Sequence, residues 1–93
     1  MKYAAYLLVC GLLVGAAPEP PKIIFDRAAK ALSAGDYEAA EQGFQAVLKQ
    51  QPDNVGAIGN LGILYARTNR IDKAIAEYRR GLRLSPDNEP ILL

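Results

Sequence analysis

Apolar residues are almost unbroken over residues 3–14, whereas from Ile23 onward they recur every three or four positions. The second pattern is that of amphipathic helices, in which residues three and four apart share a face. Four such stripes follow in order. The first is Ile24, Ala28, Ala31 and Leu32, and the second is Ala40, Phe44, Val47 and Leu48. The third is Ile58, Leu61, Gly62 and Tyr65, and the fourth is Ile71, Ala74, Ile75, Tyr78 and Leu82. Gly35 and Asn69 sit between the members of each pair, and these residues tolerate the left-handed backbone that ends a helix. Asp36 is placed to cap the second helix, and Asp53-Asn54 supplies the cap of the third. At the position equivalent to Asp36 the fourth helix has Arg70, a poorer cap. Pro52 and Pro86 end the second and fourth helices, with Asp53-Asn54 and Asp87-Asn88 turning the chain.

The pattern repeats at an offset of 34 residues: Ala40 returns as Ala74, Phe44 as Tyr78, Leu48 as Leu82, and Pro52-Asp53-Asn54 as Pro86-Asp87-Asn88. A fixed period of this length marks stacked helical hairpins, each too small to bury its own apolar face. The expected fold is all-α, with one hairpin over 21–54, a second over 55–88, and residues 89–93 as the first turn of a third. Pro90 falls where a helix accepts proline. Residues 17–22, with Pro18, Pro20 and Pro21, read as a stiff proline-rich linker ahead of a domain spanning 23–93.

The second hairpin reads Ile58-x-x-Leu61-Gly62-x-x-Tyr65, then Ala74-x-x-x-Tyr78, then Pro86, and it resembles a tetratricopeptide repeat. Ile58 stands where that family usually has tryptophan and Tyr78 where it has phenylalanine; both keep the bulk. The first hairpin matches in its second half through Gly35-Asp36-Tyr37, Ala40, Phe44 and Pro52. Its first helix departs from the pattern, with Arg27 in the place of Leu61 and Ala31 in that of Tyr65. The resemblance implies a short right-handed solenoid and a protein-binding function. Successive first helices then line a concave groove that takes a peptide or partner helix. Carried over by position, the groove comprises Phe25, Ala29, Leu32 and Ser33, followed by Gly59, Asn60, Ile63, Ala66 and Arg67. The alternative is that Leu32 and Ala66 are partly core and only Phe25, Ile63 and Arg67 reach a ligand. Family members that grip a C-terminal carboxylate use a lysine and an asparagine on the first repeat, where this chain has Phe25 and Ala29. Asn60 alone fits, so that ligand class is not expected. Small residues at Ala28/Gly62 and Ala40/Ala74 are expected to let helices approach, with Phe44/Tyr78 and Leu48/Leu82 filling the space between units.

The N-terminal run has the layout of a secretory signal: Met1-Lys2 as a charged start, an apolar stretch, and the small residues of Val14-Gly15-Ala16. Cleavage is expected after Ala16, giving an exported chain, most plausibly in a bacterial periplasm or cell envelope. The alternative is an uncleaved membrane anchor over residues 3–17, although about 20 apolar residues are usual for a span. Cys10, the single cysteine, lies inside the apolar run without the small residues that a lipid-attachment site needs before it. Its removal leaves no thiol for disulfide, metal or nucleophilic chemistry.

Loss of Lys2 brings the eleven basic residues to ten, equal to the ten acidic ones. The basic excess on the second hairpin (Arg67, Arg70, Lys73, Arg79, Arg80, Arg83) reads first as solvated helix surface, with an acidic partner as the alternative. The chain has no histidine, and Ser85 at its turn has no candidate base beside it. Glycines 56, 59 and 62 have helical spacing rather than that of a phosphate loop. No enzymatic activity, metal, cofactor or nucleic-acid partner is therefore expected. The reading is an exported adaptor or scaffold. The alternative is a structural N-terminal piece or spacer of a longer solenoid whose functional part lies beyond Leu93. Self-association through the open face of the second hairpin is also expected, because two repeats leave it without a neighbour.

Overall fold

Four helices carry the fold in a computed structural model that describes residues 17–87. They are α1 (Pro21–Ser33), α2 (Tyr37–Gln50), α3 (Val55–Arg67) and α4 (Ile71–Leu84). The segment read as a signal, with Cys10 and the expected cleavage position at Ala16, lies outside the described residues, as does the stub 89–93.

Each helix ends for a local reason. Gly35 (φ 81°) and Asn69 (φ 61°) both adopt the left-handed conformation. After α1, the Gly35 N–H donates to the Leu32 carbonyl (3.1 Å) and the Asp36 N–H to Ala31 (2.8 Å). After α3, the Asn69 and Arg70 N–H groups repeat this onto Ala66 and Tyr65 (3.2 and 2.7 Å). These paired bonds satisfy carbonyls that the helix leaves open. Asp36 accepts from the Ala39 N–H at 3.3 Å and Asn54 from the Ala57 N–H at 2.9 Å, so both cap as the sequence predicts. The Arg70 side chain makes no cap bond.

The start of α1 differs from expectation. Helix geometry begins at Pro21 rather than Ile23, with Pro20 as the flanking residue (φ −58°, ψ 139°). Proline at the first helical position loses nothing, since that N–H has no intrahelical partner. The linker is also tied down. The Glu19 carboxylate forms a two-point pair with Arg27, one bond at 2.9 Å, and the Glu19 carbonyl accepts from Gln50 Nε2 at 3.0 Å. That hydrogen bond to Arg27 holds the Glu19 carboxyl below its usual pKa.

Helices pack within each hairpin (α1 on α2, α3 on α4), and α3 packs on α2 to join the hairpins. Phe44, Val47, Ile58 and Leu64 are fully buried at this junction and around it. The helix α3 is enclosed on more than one side, so Ala57 and Leu64 are buried along with the predicted Ile58, Leu61, Gly62 and Tyr65. Close approach depends on small residues. A Cβ on Gly43 would stand 2.7 Å from that of Ala28, and one on Gly62 would collide with the Tyr78 ring. The stripe on α4 is only partly covered among the described residues. Ala74 is buried, but Ile71 and Ile75 are 48% and 41% exposed, because no described element lies over them.

Candidate functional site

The two first helices, α1 and α3, touch along one side of the molecule. On α1, the Phe25 ring is half-buried and meets Phe44 edge-on (centroids 5.4 Å apart, planes at 73°), a favourable aromatic geometry. Its outer part lines an open cleft of about 290 Å³ with Pro21, Lys22, Gln51, Asn54 and Gly56. A Cβ on Gly56 would approach the ring to 3.2 Å, so glycine there seats Phe25 against the start of α3. Ala29 is half-buried and packs against the core, and Ser33 is exposed at the helix end. Leu32, only 7% exposed, is a core residue. Its position on the apolar stripe of α1 accounts for this.

On α3, Gly59 and Asn60 are half-buried, whereas Ile63, Ala66 and Arg67 are exposed. Asn60 Nδ2 donates to the Gly56 carbonyl at 2.8 Å, which orients its oxygen. Ile63 is 39% exposed. Arg67 makes no ion pair among the described residues. Its charge at the C-terminal turn of α3 is favoured by the helix dipole. The surface therefore has an aromatic cleft at one end, small and apolar residues along α3, and a cation at the other end. That arrangement can hold an apolar side chain and one anionic group, and it contains no nucleophile–base pair.

A polar cluster behind this surface was not foreseen. Arg70 Nη2 pairs with Glu41 at 2.9 Å, its Nε donates to Thr68 Oγ1 at 2.9 Å, and its guanidinium lies 4.7 Å above the Tyr65 ring. Burial raises the Tyr65 pKa, with the nearby Glu41 and Glu77 charges adding to it. The cluster ties α2, the α3–α4 turn and α3 together. Its one sequence signal is the arginine that stands where a cap would otherwise be.

The geometry is that of two stacked helical hairpins with a 34-residue period. A family model described as Tetratricopeptide repeat matches residues 31–92, and it begins only where the degenerate first helix ends. This is a non-catalytic, protein-interaction fold. With hairpin geometry, period and family match in agreement, the chain belongs to the tetratricopeptide repeat family.

Proposed function

We propose that this chain is an exported adaptor or scaffold that binds a peptide or partner helix of another protein along the α1–α3 face. The observation that carries this reading is exposed Ile63 beside uncompensated Arg67, continuous on α3 with the half-buried Gly59 and Asn60. Ile63 supplies an apolar anchor and Arg67 a counter-charge for an acidic group, while the cleft at Phe25 takes a second apolar side chain. Export to a bacterial periplasm or envelope rests on the pattern of residues 1–16. N-terminal sequencing should then begin at Ala17; Met1 retained in a membrane fraction would instead make residues 3–17 an anchor.

Binding is tested with a photo-crosslinking side chain in place of Ile63, in the native envelope. A discrete cross-linked partner should form and be lost on Arg67→Glu, with helical circular dichroism unchanged. Capture indifferent to both Ile63→Glu and Arg67→Glu would overturn the groove. Phe25→Ala is less clean, since that ring also braces Phe44. The competing reading, a spacer within a longer solenoid, draws on the exposed Ile71 and Ile75 of α4; further repeats encoded beyond Leu93 would favour it.

A further inference from the structure

The side of α4 that no described residue covers has a regular composition. Ile71, Ile75, Tyr78 and Leu82 are spaced four, three and four apart, the spacing of a coiled-coil seam. Ile71 and Ile75 are substantially exposed, and Tyr78 and Leu82 are half-buried. Tyr78 rests one edge of its ring on Gly62. Asp72 and Arg79 each follow a seam residue directly and flank the seam on its solvent side. Neither has an ion-pair partner among the described residues.

We propose that α4 is a self-recognition element, through which two copies of this chain pair antiparallel about a two-fold axis. A crossing that lays Ile71 on the second copy's Leu82, and Ile75 on its Tyr78, brings Asp72 of each copy alongside Arg79 of the other. The charge pattern is therefore self-complementary in the antiparallel sense. A parallel pairing would set each charge level with its own counterpart. Head-to-tail stacking of copies is disfavoured by α1. At the positions where α3 buries Leu61 and Leu64, α1 has Arg27 and Lys30, both exposed. Such stacking would place these charges in a dry contact, where the loss of their hydration opposes it. An isologous contact closes at two copies, whereas a head-to-tail one grows into filaments. The α1–α3 surface stays free in the pair, so this inference stands or falls separately from the groove.

The test is sedimentation over a range of concentrations on the chain recovered from its producing cells, with helical circular dichroism as the folding control. The parent chain should reach a dimer plateau, and Ile75→Glu should be monomeric while still helical. Asp72→Arg should weaken the dimer roughly tenfold, since two attractive pairs become repulsive, and adding Arg79→Asp should restore it. Arg67→Glu should leave it unchanged. A monomeric parent, growth past the dimer, indifference to Ile75→Glu, or failure of the double swap to restore pairing would each overturn the proposal.

Discussion

The two hairpins share one backbone plan but treat their first helices differently. Helix α3 buries Ala57, Ile58, Leu61, Leu64 and Tyr65, whereas the positions 34 residues earlier on α1 are Ile23, Ile24, Arg27, Lys30 and Ala31. Of these, Ile23, Arg27 and Lys30 are exposed and Ile24 and Ala31 only half-buried. The reason is position in the stack: α3 has a hairpin behind it, and α1 has none among the described residues. Arg27 is instead used to tie Glu19, and so the linker, to the first hairpin. The same helical period thus encodes an interior helix or a terminal one, according to whether the residues flanking the stripe are apolar or charged. Helix α4 breaks the symmetry in the other direction, since its outer face is as apolar as a stacked one but has nothing over it among the described residues.

Exchanging residues between equivalent positions tests this most severely. Leu64→Lys puts the α1 residue into the enclosed site and should cost about 3 kcal/mol or more, enough to unfold so small a domain. The reverse change, Lys30→Leu, should alter stability by no more than about 0.5 kcal/mol, as expected of a surface site. Thermal or urea melts of the pair measure both, and equal effects would mean that the two helices are not interior and terminal after all.

The helix starts offer a sharper and smaller contrast, since Asp36 caps α2 locally while Arg70 bonds across the fold. Asp36→Ala should cost about 1 kcal/mol, the usual worth of a cap. Arg70→Ala should cost about 1–2 kcal/mol through loss of the Glu41 pair and the Tyr65 contact. Arg70→Asp supplies the missing cap, yet it should be less stable than Arg70→Ala because it sets a second carboxylate beside Glu41. A urea series that found Arg70→Asp stabilising would show local capping to outweigh the cluster.

The two left-handed positions are expected to respond with opposite signs. Asn69→Gly should stabilise by only a few tenths of a kcal/mol, because asparagine already tolerates that conformation. Gly35→Ala should destabilise by about 1 kcal/mol for backbone reasons alone, since open space surrounds the site where its Cβ would be. Melting temperatures of the two variants should therefore move in opposite directions.

Much of this protein follows from residue order alone. The four helices, their left-handed stops at Gly35 and Asn69, the caps at Asp36 and Asn54, and the pairing into hairpins are set within a few residues of chain. Local sterics and hydrogen bonds that act over one turn of helix are readable from neighbouring letters. The degenerate pattern of α1 also marked it as unlike α3. What the sequence left open depends on contacts between residues far apart in the chain. Leu32 and Ile63 are both apolar and both on predicted groove positions, yet one is core and the other exposed, because only packing fixes where the buried arc of a helix ends. Arg70 looked like a poor cap until folding brought Glu41 to it across 29 residues. Ile71 and Ile75 lie on the same apolar stripe as buried Ala74, but how far such a stripe is covered depends on a partner surface, and that is a property of the assembled stack.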